Sequence, residues 1–457
     1  MPKPVPTDRL STLDSKGGRI PLYPAMPRGR FRAYRTRVQV ILILIFLGLP
    51  WIHIHGKQAL LLDLPKREFT FFGLTLYAHD APLIFFVLGI LTLGLAFVTA
   101  VWGRVWCGWA CPQTVFIDGV FRRIEKWVEG SHIKRRKLDQ APWTAQKVFK
   151  KTLKWTLFIL TSLVLTHSFL AYFVGAERLI GMVTSSPKEN WTSFLFILVT
   201  TGLVLFDFAW FREQFCIIVC PYGRFQSVLM TSRSLAVLYD EKRGEPRRGK
   251  DPHKQGDCVD CFKCVNVCPT GIDIRNGIQM ECIACTSCID ACDEVMTKLK
   301  KPRGLIRYSS EAEMQGQPKT YWRPRAFIYL TLILLMVVGL GVGLSRREAF
   351  NISIVRSHDL PYKKVANQKN TYLNHFNLYI KNQTNKDTQL QVSLLKAPSH
   401  VKLIFPFNPL PLKANENKKV PFFLEFQKQK DLPSQIHIQF QGQGFQKTLP
   451  LKILAPL

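Results

Sequence analysis

The sequence predicts a multi-span α-helical membrane protein with an α+β domain inserted between two of its spans and an all-β sandwich at its C-terminus. Three observations predict this fold class. Five long apolar runs alternate with polar segments, eight of the twelve cysteines are close together in one polar segment, and hydrophobic and polar residues alternate after the last run. Each observation assigns one part of the chain to one structural class.

The apolar runs predict membrane-spanning helices. Each is close to the ~20 residues that an α-helix needs to cross the hydrocarbon core of a bilayer. Buried helices of a water-soluble protein are the alternative, but five runs with almost no internal charge argue against it. No small-residue cleavage site follows the first run, so we expect that run to remain as an anchor. The predicted spans are residues 38–54, 82–102, 153–174, 192–211 and 326–344.

The basic residues predict which side of the membrane each segment faces. A formal net charge of +30 suggests nucleic acid at first sight. Lys and Arg, however, number nine in residues 1–37, three between spans one and two, eleven in 104–152, two between spans three and four, and nineteen in 212–325. This alternation follows the positive-inside rule and suits contact with anionic lipid of the bilayer. We therefore expect a cytoplasmic N-terminus, an exported C-terminus and no nucleic-acid partner.

These boundaries divide the chain into five parts. They are a basic cytoplasmic N-terminus (1–37), four transmembrane helices with two short cysteine motifs (38–227), a cytoplasmic insert (228–325), a fifth transmembrane helix (326–344) and an exported domain (345–457). Every cysteine falls on the predicted cytoplasmic side or at that membrane face, and none follows Cys292. A secreted disulfide scaffold would show the reverse, so we interpret the cysteines as thiols kept reduced for metal or redox chemistry.

The last segment has the pattern of short antiparallel strands. Hydrophobic residues occupy every second position in several stretches, and turn formers such as Asn408 and Pro409 separate them. Many short strands at this spacing predict a small β-sandwich. The predicted inward positions are Phe376, Leu378, Ile380, Leu390, Val392, Leu394, Val420, Phe422, Leu424, Phe426, Ile436, Ile438, Phe440, Leu449, Leu451 and Ile453.

Two cysteine runs in the insert predict a ferredoxin-like domain with two [4Fe–4S] clusters. The runs are Cys258-x2-Cys261-x2-Cys264-x3-Cys268, followed by Pro269, and Cys282-x2-Cys285-x2-Cys288-x3-Cys292. Bacterial two-cluster ferredoxins have this spacing, and in them the fourth cysteine of each run ligates the other cluster.

The spacing assigns each of these cysteines to one cluster. A tight loop with a cysteine at every third residue wraps three thiolates around one face of a cluster, and the fourth ligand comes from a distance. Zinc is the alternative, but four-cysteine zinc sites use paired Cys-x2-Cys motifs. One predicted ligand set is Cys258, Cys261, Cys264 and Cys292, and the other is Cys268, Cys282, Cys285 and Cys288.

A Cys-x3-Cys-Pro motif ends both the second and the fourth span. The four cysteines, called the membrane-face thiols below, are Cys107, Cys111, Cys216 and Cys220. If the helix continues, each pair lies on one helical face. If the proline begins a new helix, Cys111 and Cys220 cap it, and the helix dipole favours their thiolates. Thiolates suit Cu(I), zinc, a further cluster or dithiol–disulfide switches, and buried inert cysteine is the alternative.

Several segments beyond the cysteine spacing carry a family resemblance. They read LLDLPKREFTFFG (61–73), GRVWCGWACPQ (103–113), WFREQ (210–214), CPYGRFQS (220–227), YDEKRGEP (239–246) and PRGLIRY (302–308). Together with the cysteine runs they make roughly residues 35–345 resemble the cytochrome c oxidase accessory protein family, the CcoG/FixG/RdxA group.

The resemblance implies a protein of the bacterial inner membrane, with a cytoplasmic ferredoxin insert and a periplasmic immunoglobulin-like domain. It further implies a role in maturing cbb3-type cytochrome oxidase through reduction of Cu(II) to Cu(I), with the membrane-face thiols as catalytic, copper-binding residues. Copper is then the substrate or a bound ion. The expected partners are a cytoplasmic electron donor, a copper chaperone or transporter and oxidase subunits, and a homodimer stays open.

Two other functions compete with copper reduction. In a quinol- or quinone-linked electron relay, the membrane-face thiols would be structural or would hold another centre. In a non-enzymatic assembly scaffold, the exported sandwich would grip oxidase subunits.

Overall fold

Long apolar helices form the first part of the structure and antiparallel strands its last part. The computed structural model divides into two units, Met1–Gly341 and Val342–Leu457, and each is described by itself. The predicted fold class is confirmed. The described residues are 12, 18–77, 80–248, 255–318, 323–357, 360–365, 370–384, 386–395, 397–398, 400–414, 416–428, 432–442 and 444–455.

Five helices of the described residues are long and apolar enough to span a membrane. Their bounds are Arg30–Trp51, Ala81–Trp102, Ala145–Val174, Trp191–Phe211 and Pro324–Ser345. The α-helices are α1 Arg30–Gly48, α2 Ala81–Trp102, α3 Val105–Trp109, α4 Pro112–Phe116, α5 Arg122–Val128, α6 His132–Gln140, α7 Ala145–Val174, α8 Ala176–Thr184, α9 Trp191–Leu205, α10 Pro221–Leu229, α11 Glu241–Gly244, α12 Lys263–Asn266, α13 Ser287–Lys298, α14 Glu311–Met314 and α15 Pro324–Ser345.

Tighter and wider helical turns extend some of these helices. The 3₁₀ turns are Leu49–Trp51 and Ile274–Asn276, and the π-helical segments are Ile117–Phe121, Phe206–Phe211 and Phe215–Val219. π-Helical turns are frequent at functional sites. Here one of them contains Cys216 and another directly follows α4, the helix that Cys111 precedes.

The first span begins eight residues before its predicted start because the insert caps it. Gly29, its N-cap, has no side chain, and Asp290 of α13 accepts hydrogen bonds from the backbone N–H groups of Phe31 (3.2 Å) and Arg32 (2.7 Å). A carboxylate at this end satisfies free N–H groups and interacts favourably with the helix dipole. The first turns of this helix are rich in basic residues, so the hydropathy pattern predicts that the span begins only at residue 38.

The strands fall into small sheets beside the helices and two larger sheets in the second unit. They are β1 His53–Ile54, β2 Lys57–Gln58, β3 Leu60–Asp63, β4 Glu68–Phe71, β5 Leu74–Tyr77, β6 Ala236–Tyr239, β7 Ile306–Ser309, β8 Phe350–Arg356, β9 Lys363–Lys364, β10 Thr371–Asn382, β11 Thr388–Leu395, β12 Val401–Ile404, β13 Leu410–Leu412, β14 Asn417–Gln427, β15 Gln435–Gly442 and β16 Phe445–Lys452.

A three-stranded antiparallel sheet (β3–β4–β5) between the first two spans was not predicted. Gln58 ties this region to the third span, since its side chain donates to the Ala171 carbonyl (3.0 Å) and accepts from the Ala176 N–H group (3.0 Å). The side chain therefore satisfies backbone groups where α7 ends and α8 begins.

The second unit is a sandwich of two antiparallel sheets. One has the strand order β12–β14–β10–β8, with β9 also paired to β10, and the other has the order β13–β11–β15–β16. The predicted inward positions form its core, with Leu394 and Leu449 only partly buried at the margin. Alternation was a reliable signal here because successive side chains of a strand point to opposite faces.

A group of buried ion pairs outside the insert holds Arg35 against it. The Asp118 carboxylate pairs with the guanidinium groups of Arg32 and Arg35, the latter at 2.5 Å, and Arg35 also donates to the Cys285 carbonyl oxygen (3.1 Å). Burial by itself would raise the pKa of Asp118, yet Arg35, Arg32 and Arg122 outweigh it and hold that pKa well below its usual range. The charged carboxylate is therefore part of the fold.

We predict that Asp118→Asn weakens the docking of the insert. The substitution leaves buried guanidinium groups without a counter-charge, which costs about 3–5 kcal/mol. The measurement is limited proteolysis and thermal unfolding of the protein in detergent. Asp139→Asn is the control, because this half-exposed carboxylate pairs with Lys151 at 2.5 Å and such a pair contributes about 0–1 kcal/mol.

The same carboxylate fixes the pH dependence of docking. A depressed pKa gives stability that is complete above the unfolded value of about 3.9 and is lost as pH falls toward the folded value. We therefore expect the insert to stay docked throughout the neutral range and to loosen only in strong acid. Loosening of the insert in the physiological window, between about pH 6 and 8, would contradict this assignment.

Candidate cluster cavities and membrane-face thiols

The insert contains two cavities, each lined by the four cysteines predicted for one cluster. Cavity A is lined by Cys258, Cys261, Cys264 and Cys292. Cavity B is lined by Cys268, Cys282, Cys285 and Cys288, and Cys264 also lines it. The fourth cysteine of each run lies with three cysteines of the other run, which is the placement that exchanged ligation requires.

The two cysteine loops share an unusual backbone conformation. The residues on either side of the middle cysteine have positive φ angles: Asp260 (52°) and Phe262 (55°) in the first loop, Ala284 (51°) and Thr286 (62°) in the second. Non-glycine residues seldom adopt this left-handed region, and such strain is typical of functional sites. The repeated pattern curls each loop around its cavity, so that all three of its thiols line it.

The donor set and lining of both cavities fit an iron–sulfur cluster. Apolar side chains such as Val237 and Ile272 complete cavity B, and Leu305 and Val295 lie in cavity A. Burial raises the pKa of Cys268 to about 11, so these thiols ionise as metal binds. No three His, Cys, Asp or Glu side chains of the described residues are arranged to hold a single metal ion. Thiols placed around a multi-iron group are expected to be too far apart for one zinc ion.

Buried guanidinium groups stand close to both cavities. Arg275 lines cavity A and pairs with Asp273 at 2.6 Å. At cavity B, Arg35 donates to the Cys285 carbonyl oxygen (3.1 Å) and Arg104 to that of Cys282 (3.3 Å). Positive charge and hydrogen bonding near the ligands are levers that set the reduction potential of a cluster.

The structure selects the capping geometry for the membrane-face thiols. Cys111 is the N-cap of α4 and Cys220 the N-cap of α10, and a proline takes the first position of each helix. Burial raises the pKa of Cys111, and the nearby backbone N–H groups of Gln113 and Thr114 act in the opposite direction. A continuous helix with both cysteines of a pair on one face does not form.

Two glutamines cross-link the repeated motifs. Gln226 of α10 is buried and donates its Nε2–H to the Sγ atom of Cys107 (2.8 Å). Gln113 of α4 donates to Asp207 Oδ1 (2.9 Å) and to the Arg212 carbonyl oxygen (3.2 Å), shortly before Cys216. Each glutamine therefore follows the second cysteine of its own motif and makes its hydrogen bonds at the other motif.

These contacts place the four thiols in one neighbourhood. Burial raises the pKa of Cys107 to about 11, against the hydrogen bond from Gln226, which lowers it. Burial also raises the pKa of Cys216, and the charges of Cys111, Cys107 and Cys220 add to that shift. The thiols are close enough for their charges to interact, and all four are free. A soft metal ion would bind these thiols with release of their protons.

Sequence reasoning missed the polar residues that complete both sites. Arg35 and Gln226 are 2% and 1% exposed, and Arg104 is 9% exposed. Arg104 and Gln226 lie inside the family motifs 103–113 and 220–227, but their burial was not readable there. Asp290 and Asp273 of the insert are also buried, and both make internal hydrogen bonds.

Three protein families match separate parts of the chain. A family described as "4Fe-4S dicluster domain" matches residues 211–311, one described as "4Fe-4S binding domain" matches residues 83–133, and an "IG-like fold at C-terminal of FixG" matches residues 340–450. The second match contains Cys107 and Cys111.

Relatives of known name cover most of the chain. The proteins RdxA and RdxB of Cereibacter sphaeroides are 35% and 37% identical to it, over 82% and 85% of this chain and 82% and 84% of their own. The nitrogen fixation protein FixG of Rhizobium meliloti is 37% identical over 63% of this chain and 57% of its own. A crystal structure of a FixG-related protein from Vibrio parahaemolyticus is 15% identical, with a TM-score of 0.21, over 24% of this chain and all of that one.

The predicted family is therefore confirmed. The spanning helices, the two cysteine-lined cavities and the matched iron–sulfur families describe one kind of molecule, and the chain belongs to the FixG/RdxA family of membrane-bound iron–sulfur electron-transfer proteins.

Proposed function

We propose that this protein reduces Cu(II) to Cu(I) at the membrane-face thiols and so serves the maturation of a cbb3-type cytochrome c oxidase. The observation that carries the proposal is the convergence of four free thiols from two separate spans, joined by the hydrogen bond from Gln226 to Cys107. Thiols that were merely buried would need neither the repeated capping geometry nor this cross-link.

The chemistry of the thiols favours the reduced ion. Soft thiolate ligands select Cu(I), so binding at these residues would raise the potential of the copper couple and make its reduction more favourable. An iron–sulfur cluster, when bound, supplies one electron, which is what each Cu(II) ion needs. No arrangement of three or more of these thiols around one ion is present in the described residues, so we propose that a pair of thiolates holds each copper ion.

The charge distribution supports an orientation of the protein in the membrane. We propose that the N-terminus and the insert face the cytoplasm of a bacterial cell and that the sandwich lies in the periplasm. The support is the concentration of Lys and Arg in residues 1–37, 104–152 and 212–325. The partners would be a cytoplasmic electron donor, a copper chaperone or transporter and the oxidase subunits.

A second candidate function is an electron relay linked to quinol or quinone. The family match over residues 83–133 is described as 4Fe-4S binding, which favours a further cluster at the membrane-face thiols in place of copper. Metal analysis separates the candidates. Copper reduction requires about eight irons per chain, for two four-iron clusters, and a further cluster would raise this to about twelve.

We predict that replacing all four membrane-face thiols by alanine abolishes copper reduction and leaves the insert loaded. The electron acceptor site is lost, whereas neither cavity loses a ligand. The measurements are iron content, EPR of the reduced protein and reduction of Cu(II) detected with a Cu(I)-specific chelator, all under anaerobic conditions. Normal copper binding and reduction by this variant would refute the proposed site.

We predict that Gln226→Leu weakens copper retention several-fold at unchanged iron content. Loss of one hydrogen bond to a thiol costs about 1 kcal/mol, or roughly a factor of five in affinity. Competition with a Cu(I) chelator measures the effect. Ser227→Ala is the matched control, since its hydroxyl donates only to the Arg224 carbonyl of the same helix (2.6 Å). Equal retention in both variants would contradict a role for Gln226.

A further inference from the structure

The first pair of membrane-face thiols lies directly against the loop of cavity B. Gly108 is the residue between Cys107 and Trp109. A methyl group added at Gly108 would lie 2.5 Å from the carbonyl oxygen of Ile283 and 2.8 Å from that of Ala284. Real side chains do not come this close to backbone atoms, so only glycine permits the approach. Ile283 and Ala284 are the residues between two ligands predicted for the group in cavity B.

Hydrogen bonds on both sides of Gly108 hold this contact. The indole N–H of Trp109 donates to the Tyr308 hydroxyl (3.1 Å), and that hydroxyl donates to the Ala284 carbonyl oxygen (3.0 Å). On the other side, Arg104 donates to the carbonyl oxygens of Cys282 (3.3 Å) and Gly223 (3.4 Å). Arg104 thus connects the loop of cavity B to the helix that Cys220 caps.

Cavity A has one cysteine that faces solvent. Its ligand Cys261 is exposed, whereas Cys285 of cavity B is buried. Cys264 lines both cavities, so they share a wall at this residue. The three places are therefore in series: a solvent-facing cysteine at cavity A, the shared wall at Cys264, and the glycine contact between cavity B and the membrane-face thiols.

We propose that the two cavities act in a fixed order, with electrons entering at Cys261 of cavity A and leaving cavity B across the contact between Gly108 and Ala284. This inference rests on the proposed function, in that the membrane-face thiols are the acceptor site. Each transfer moves one electron to Cu(II), which becomes Cu(I), and no bond or proton is exchanged. The rate of electron tunnelling falls exponentially with distance. The close backbone contact at Gly108 therefore favours transfer at this point. Gly108, Trp109 and Tyr308 are positioning residues for this step.

Gly108→Ala tests the route of exit. The full chain, purified anaerobically in detergent and reduced with dithionite, is mixed rapidly with Cu(II), and reoxidation is followed by absorbance. We expect a several-fold slower reoxidation, with unchanged iron content and an unchanged EPR signal. Gly94→Ala is the matched control, because it adds the same methyl group to the span that precedes Cys107, where nothing lies within 4 Å.

Two further comparisons keep this test decisive. Ferricyanide, an oxidant that can react at the exposed Cys261, should reoxidise wild type and Gly108→Ala equally fast. Should Gly108→Ala fail to assemble, Trp109→Phe removes the indole donor and leaves the glycine contact in place, and it should slow the copper reaction to a smaller degree. Copper rates equal to wild type in the assembled variants would overturn the route.

The order of the cavities is tested without copper. A Gd(III) chelate is attached to Cys111 in a chain whose other membrane-face thiols are serine. It should speed the spin relaxation of one reduced cluster, namely the cluster whose signal is lost in Cys285→Ser and kept in Cys261→Ser. An effect on the other cluster would overturn the order. Because no copper is present, failure of the copper proposal leaves this readout intact, and the two failures remain distinguishable.

Discussion

The placement of the insert depends on a carboxylate buried among arginines. Asp118 follows the first Cys-x3-Cys-Pro motif, and Arg35, which pairs with it at 2.5 Å, also donates to a backbone carbonyl in the loop of cavity B. Buried ion pairs add little net stability, but removing one partner is costly, so they favour a single arrangement. The cap that Asp290 forms on the first span acts on the same interface. With the insert fixed, the loop of cavity B reaches Gly108.

The twelve thiols are held by two different backbone devices. In the insert, residues with positive φ on both sides of a middle cysteine curl each loop around its cavity. At the membrane face, the second cysteine of each pair caps a helix that begins with proline. A curled loop surrounds a large group, whereas a helix cap presents a single thiol at the positive end of a helix. The difference suits a resident cluster in the first case and an exchanging metal ion in the second.

Local signals predicted the elements, and long-range contacts set their limits. The spacing of the cysteine runs and the alternation in the sandwich depend on neighbours in the sequence, so both could be read directly. The start of the first span depends on Asp290, some 260 residues away, and no local pattern contains that information. The sheet β3–β4–β5 was not predicted because its strands are only four residues long, which is too short for a clear alternation pattern, and they lie between two strongly apolar spans.

The sequence by itself determined the class of the protein, its five spans and the identity of all twelve thiols, because hydropathy and cysteine spacing are properties of short segments. It left open whether the Cys-x3-Cys-Pro motifs continue a helix or begin a new one. Only the tertiary structure decided that Cys111 and Cys220 are helix caps and that Gln226 joins the two motifs. It also decided that Gly108 meets the loop of cavity B, because that contact joins segments about 175 residues apart, and only the folded chain brings them together.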